Sequence, residues 1–496
     1  LASIIWGVCL SQDLDWARVD AGIKQVIPFK NVLDGSGNVV VIGRFNGLVT
    51  FNDKQGPISR EGKGIVNGYI KKTDTNGNII WLIDLADEGN RVFLKDIVVD
   101  SDDNLLVTGH FYDILRVQTI NGFVTKNENV DGSSFILKIT KDGSILWLRT
   151  YAQRSSQCTF NSIDIYNNGD ILIGGFFKGI VEFKSSTFAH LDTSFNRYSG
   201  LVIKLNPNGE YLWSKTFKGT FSSLCIDVRV DIEGDIVIAG LFSGVCDFDP
   251  NKDVEYYLGG EGAEGWNRYF IVKLNQNGKF WWAYSLGDGL DINMGFPRLT
   301  TDNSGNIYLY GSFLGDMDFD PSDKEVILSA NYFRDLFVQK TSRDGQLVWV
   351  KKIGGQTEMG VADIALGPEE NIFICGSFNK VADFDPSNDS LMVVAKGGED
   401  GFIEKLDRNG NIIWAIFLEN TKRTHVSGIA VFKEIIYACG EISDETDFDP
   451  TENRNIVKAL GERDAFTLKL SQCISNASLD ENICVGDSLF FNQHFI

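Results

Sequence analysis

Four copies of Asp-Phe-Asp-Pro, at Asp247–Pro250, Asp318–Pro321, Asp383–Pro386 and Asp447–Pro450, are the residues of this chain best suited to chemistry. In each copy two carboxylates bracket a phenylalanine and further oxygen donors follow, such as Asn251 and Asp253, Ser322 and Asp323, or Asn388 and Asp389. Calcium is a hard ion that takes about six to eight oxygens, so Asp247, Asp249, Asp318, Asp320, Asp383, Asp385, Asp447 and Asp449 form a candidate calcium set. The competing reading is a turn leading out of a strand: alternation points both carboxylates to one face, their oxygens accept nearby backbone amides, and Pro ends the strand. Earlier in the chain Phe51-Asn52-Asp53, Val117-Gln118 and Phe183-Lys184 stand in place of the motif, which excludes a metal ring running through every repeat. No cofactor is required; calcium is the one candidate.

Other catalytic signatures are absent. The four histidines, His110, His190, His425 and His494, have no metal-ligand spacing, and there is no Gly-x-Ser-x-Gly elbow or phosphate loop. Gly259-Gly260-Glu261-Gly262 precedes no helical pattern and reads as a loop. A carboxylate pair for glycoside cleavage would have to come from different repeats, and 67 acidic residues single out no pair. The expectation is therefore a non-catalytic protein, with a propeller glycosidase or lyase as the remaining enzymatic reading. Among eight cysteines there is no Cys-x-x-Cys, which argues against zinc. Cys225 with Cys246 and Cys473 with Cys484 are close enough in sequence to bond, but spacing decides neither. One insertion, Glu255–Arg268, carries Trp266, Asn267 and Arg268, an aromatic and polar set able to stack on a sugar or peptide; alternatively the Trp packs on a neighbouring sheet.

These groups are positioned by a repeat of about 66 residues. Lys72, Lys138, Lys204, Lys273, Lys340 and Lys405 are each followed nine residues later by Trp81, Trp147, Trp213, Trp282, Trp349 and Trp414, across Asn-Gly or Asp-Gly pairs from Asn76-Gly77 to Asn409-Gly410. Such dipeptides favour a two-residue type I′ hairpin, which would set each Lys opposite its Trp, with the ammonium on the indole face or the Lys stem covering the ring. Lys469 has no Trp after it, and Trp16 has no Lys hairpin before it. The two complete one another if the strand around Trp16 pairs with Ala465–Leu470, closing a ring of sheets and removing two open edges. A second register runs through Gly43, Gly109, Gly175, Gly240, Gly311, Gly376 and Gly440, followed eight residues later by Phe51, Val117, Phe183, Phe248, Phe319, Phe384 and Phe448. Both registers predict an all-β, seven-bladed propeller, whose long period leaves room for an extra excursion after each of these Phe or Val positions.

Composition agrees: 51 Gly and 35 Phe against 9 Pro and 4 Met suit short strands, tight turns and aromatic packing. A net charge of −21 argues against nucleic acid and anionic membrane as partners. Leu1-Ala2-Ser3-Ile4-Ile5-Trp6-Gly7-Val8-Cys9-Leu10 is too short to span a bilayer and reads as the apolar part of a secretory signal peptide, with a buried first strand as the alternative. The expected organisation is 1–11 signal remnant, 12–471 propeller, and 472–496 a linker and the start of an immunoglobulin-like or PKD-type sandwich.

The sequence Asp383-Phe384-Asp385-Pro386 followed by Gly401-Phe402-Ile403-Glu404-Lys405-Leu406-Asp407-Arg408-Asn409-Gly410-Asn411-Ile412-Ile413-Trp414 resembles the β-propeller repeats of the SBBP type, over roughly residues 13–470. The resemblance implies a large secreted bacterial protein, extracellular or at the cell surface, which often continues into PKD or immunoglobulin-like domains and a type IX secretion sorting domain. It fixes no ligand and no catalytic residue. The function expected is an interaction or adhesion module for an extracellular glycan or protein, monomeric within a larger chain, with a passive spacer as the alternative.

Overall fold

The computed structural model describes residues 12–476 and 481–484 apart from 87–90, 120–121, 128–131, 152–156, 185–188, 252–253, 261–267, 288–294, 388 and 452. Within these the chain is all-β and propeller-like, with one short 3-10 turn at Pro368–Glu370. Its unit is four antiparallel strands in sequence order, as in Val26–Leu33, Val39–Phe45, Asn67–Thr73 and Ile79–Ala86. The first strands, Val26–Leu33, Val92–Val99, Gln157–Ile165, Ser223–Val230, Arg298–Thr301, Met359–Leu366 and Thr424–Phe432, neighbour one another in that order, and the last returns to the first. They line the axis. The unit that begins at Thr424 takes its outer strand from the start of the chain: Gln12–Gly22 pairs with Asp464–Asn476, with Trp16 opposite Lys469 and Asp20 opposite Ala465.

The sheets are less uniform than the repeat suggests. Among the described residues one sheet has seven strands, three have six, three have four and one has two. The excursion after the second strand makes the difference. Ile114–Thr119, for example, pairs with Ile79–Ala86, the outer strand of the preceding unit, so a hairpin from one unit latches the edge of its neighbour. This covers an edge that would otherwise be open. The Phe or Val that opens each excursion is the plug: Phe51, Val117, Phe183, Phe248, Phe319, Phe384 and Phe448 are all fully buried. Four of the rings meet an aromatic ring of the third strand at 4.7–5.1 Å, as Phe248 does Phe270 and Phe448 does Phe466.

The hairpin expectation needs correction in its detail. The Lys and Trp positions do face each other in all six hairpins. However, the Asp74 carbonyl accepts from Gly77 N, the register shifts by one after Lys72, and in the repeated turns it is the glycine that has positive φ, between 74° and 86°. These are type I turns followed by a glycine bulge, not type I′ turns. Among the described residues no Lys ammonium lies over the ring of its own Trp; that of Lys204 lies over Tyr166 and that of Lys340 over Tyr308. Trp16, Trp81, Trp147, Trp213, Trp282 and Trp349 each lie against the turn glycine of the following unit, where a Cβ would meet the ring at 3.0–3.3 Å. Trp16, Trp81 and Trp282 donate Nε1–H to a carbonyl of that turn at 2.9–3.1 Å. Trp414 has no such turn ahead of it, because the next unit is the one completed by residues 12–22; its buried Nε1 finds no acceptor. Five of the lysines instead meet an acid of the preceding turn in their own unit, as in Lys72–Asp34 2.9 Å, Lys138–Asp100 2.9 Å and Lys273–Asp231 2.8 Å, whereas Lys405 lies 3.8 Å from Glu434 of the following unit.

No immunoglobulin-like or PKD sandwich is evident among the described residues. Beyond Leu470 the chain shows one antiparallel pairing, in which Cys473 faces Cys484 in register. Cys225 and Cys246 are free buried thiols, so the bond that their spacing allowed is not made. Burial pushes the Cys246 thiol up to about 12.

Candidate functional site: the axial passage

The functional candidate built by the whole ring is the passage along its axis. Six of the first strands carry a β-bulge at one register position: between Pro28 and Lys30, Leu94 and Asp96, Phe160 and Ser162, Cys225 and Asp227, Val361 and Asp363, and Val426 and Gly428. A bulge turns two successive side chains toward the same side and re-aims them. It also explains the glycine register. A Cβ at Gly109 would stand 2.4 Å from the Phe93 carbonyl and 2.6 Å from the Phe135 ring, so the strand opposite the bulge must carry glycine there.

Lys30, Asp96, Ser162, Asp227, Arg298, Asp363 and Gly428 consequently occupy one level of the passage, opposite Ile42, Thr108, Gly174, Ala239, Tyr310, Cys375 and Cys439. Two cavities, of about 480 and 620 Å3, open on either side of this level, and Lys30 and Asp363 border both. The carboxylates here act as staples. An innermost strand has unpaired N–H groups on its axial edge, and the acid of the preceding unit supplies the acceptor: Asp96 takes Ile163 N at 2.9 Å, Asp164 takes Val230 N at 2.7 Å, Asp227 takes Leu299 N at 3.0 Å and Asp363 takes Ile429 N at 3.3 Å. Lys30 pairs with Asp96 at 2.8 Å and Arg229 with Asp227 at 2.7 Å, while Ser162 Oγ bridges Asp96 and Asp227. Burial raises the Asp96 carboxyl, but Lys30 and Arg229 outweigh it and hold the group below its ordinary range. Asp363 has no such direct partner, and burial leaves it raised.

At the rim of the smaller cavity, Ser377, His425 and Glu399 come together. Ser377 Oγ contacts both His425 Nδ1, at 2.9 Å, and the Glu399 carboxylate, while His425 Nδ1 lies 3.8 Å from Glu399. A nucleophile relay places the imidazole between hydroxyl and carboxylate, using both ring nitrogens. Here the carboxylate reaches the hydroxyl directly and one nitrogen faces both partners, so the cluster is ordered as a polar clasp. Arg423 completes it, with Nε 2.8 Å from Glu399.

The Asp-Phe-Asp-Pro carboxylates lie elsewhere, at the outer excursions. Asp247 Oδ1 accepts from Asp249 N and Tyr256 N, Asp318 from Asp320 N and Val326 N, Asp383 from Asp385 N and Leu391 N, and Asp447 from Asp449 N and Asn455 N, all at 2.8–3.2 Å. Asp249, Asp320, Asp385 and Asp449 each accept the amide two residues on, at 2.9, 2.9, 2.8 and 2.9 Å. One oxygen of every carboxylate is therefore committed to a backbone turn, and no group of three or more His, Cys, Asp or Glu converges among the described residues. The second oxygen of each carboxylate is not taken up by these turn hydrogen bonds. Trp266 and Asn267 lie outside the described residues. Arg268 is the first residue of the strand Arg268–Leu274 and is only 7% exposed, so it does not stand on a loop tip.

Sequence reading missed the axial residues, although their signal is present. Each charged one sits 12 positions before a small or apolar residue that immediately precedes a register glycine, as Asp96 does Thr108 and Asp363 does Cys375.

No family model matches the chain. An uncharacterised WD repeat-containing protein of Acanthamoeba polyphaga mimivirus is 25% identical over 274 residues, which is 49% of this chain and 19% of that protein; the match thus spans about a fifth of the relative's length. Among solved structures, a protein of unknown function from Dyadobacter fermentans covers 92% of this chain and 98% of its own at 9% identity and a TM-score of 0.40. A streptogramin B lyase covers 92% and 97% at 12% identity, also with a TM-score of 0.40.

Proposed function

We propose that this chain is a non-catalytic interaction module, a closed seven-bladed propeller over residues 12–471 that belongs to a larger exported surface protein. The observation that carries this reading is the state of the axial carboxylates. Asp96, Asp164, Asp227 and Asp363 each accept the amide of the next unit, which fixes the inner ring as a rigid frame and engages the acids that hydrolysis would need to keep available. The resemblance to SBBP-type repeats supports export and surface residence. Among the described residues no helix is long and apolar enough to cross a membrane. The partner class is an extracellular glycan or protein.

The test is a glycan array probed with the whole chain, once with calcium and once with chelator, together with an assay for hydrolysis or elimination of any bound glycan. Binding without turnover, equal in both buffers, is the expected result. Turnover would overturn the non-catalytic reading. Binding lost in chelator would return the Asp-Phe-Asp-Pro turns to the ligand site, and silence on the array together with failure to retain any surface protein would favour a spacer.

A further inference from the structure

The mouth of the smaller axial cavity collects cations in an otherwise acidic protein. Lys95 is the bulged residue of its strand, lines the cavity and is exposed. Arg44 reaches the same mouth from the second strand of the first unit, with its guanidinium 5.5 Å from the Phe29 ring centre and 5.9 Å from that of Phe93. Arg298 enters from the opposite side and spends Nε on the Ala362 carbonyl at 2.8 Å, leaving its terminal fork toward the cavity. His110 stacks on Phe93 at 4.8 Å, and its Nδ1 is buried without a hydrogen-bond partner.

Among the described residues none of these three cations has a carboxylate at ion-pairing distance, whereas Asp96 is held by Lys30, Asp227 by Arg229, Asp363 by two backbone amides and one oxygen of Glu441 by Arg463. The passage walls strip water from Lys95, and Arg298 and Arg44 beside it act in the same direction, lowering its ammonium below the ordinary value. Like charges gathered in a partly dehydrated cleft repel one another unless an anion joins them.

We propose that this mouth binds a carboxylated sugar, such as a uronic acid residue, with the carboxylate between Lys95 and the Arg44 and Arg298 forks and the sugar ring against Phe29 and Phe93. Guanidinium forks match a carboxylate in two-point geometry. The half-buried aromatic faces suit the carbon skeleton of a sugar, and a volume of about 480 Å3 admits one or two rings. The assignment rests on reading the chain as an interaction module and names its ligand class.

Titration calorimetry of the whole chain with galacturonate and digalacturonate tests it, with galactose as the uncharged probe and inorganic phosphate as the charge-only probe. The uronates should bind and galactose should not, and Arg44→Gln and Lys95→Gln, which keep the side-chain stems, should each weaken binding at least about tenfold. Lys63→Gln, an exposed lysine away from the mouth, should leave affinity unchanged. Phosphate binding without uronate binding would overturn the sugar assignment, as would uronate binding indifferent to Arg44 and Lys95. Uronate silence with a neutral glycan positive on the array would overturn the anion site and leave the module standing; silence in both would remove both.

Discussion

At the scale of single residues, the motif most suggestive of chemistry is a folding device. In Asp-Phe-Asp-Pro the Phe is the buried plug and the two Asp hold the loop that delivers it, each through a charged acceptor for backbone N–H groups. Asp383→Ala removes one such acceptor from two amides and should cost about 1.5–3 kcal/mol in urea unfolding. Asp383→Asn keeps an oxygen and should cost less, and neither difference should change with calcium. Glu404 is the opposite case: fully buried, with neither carboxylate oxygen bonded, its carboxyl is pushed well above the ordinary value by burial and by Asp385. The folded chain therefore holds a proton that the unfolded chain releases above about pH 4.3, so this residue lowers stability as pH rises from there. Leu137 and Leu468 occupy the same register position in other units. Glu404→Leu should accordingly raise the melting temperature by more at pH 8 than at pH 4; an increment that is the same at both would show that the acid is solvated.

At the scale of elements, the turn glycine joins two demands that the sequence shows only as one letter. It takes positive φ, and it leaves room for the indole of the preceding unit. Gly143 and Gly234 separate them. Both have φ near 85°, but a Cβ at Gly143 meets Trp81 at 3.1 Å, whereas at Gly234 the nearest atom is 4.0 Å away. Gly234→Ala carries the backbone strain alone, about 1 kcal/mol. Gly143→Ala should cost measurably more, and the excess should vanish in a Trp81→Ala background; a double-mutant cycle reads that coupling directly.

At the scale of the whole molecule, the ring is tied by more than strand pairing. Asp20, on the strand Gln12–Gly22, forms an ion pair with Lys71 of the first unit, and both side chains are almost fully buried, at 1% and 2% exposure. Asp20→Ala would leave an ammonium in the core without its partner, a loss of about 3–5 kcal/mol, whereas replacing both residues by apolar ones should recover most of it. Deleting residues 12–20 removes the pair, the Trp16 contact on Gly77 and a whole outer strand together, and should lower the melting temperature sharply. An unchanged melt would show that the ring holds without its clasp.

The repeat, the all-β class and the pairing of the Trp16 strand with Ala465–Leu470 are legible in the order of residues alone, because strand period, turn glycines and recurring aromatics are local signals repeated in a fixed register. The nine-residue spacing likewise puts each Lys opposite its Trp. What each side chain then touches depended on the neighbouring unit: Trp81 goes to Gly143, Asp96 to Ile163 N, Asp20 to Lys71. No local rule predicts these contacts, which arise only when successive units close around an axis. The axial passage belongs to the same category. Lys95, Arg44 and Arg298 are distant in sequence and individually ordinary, and only the bulge that re-aims Lys95 and the closure of the ring bring them to one cavity.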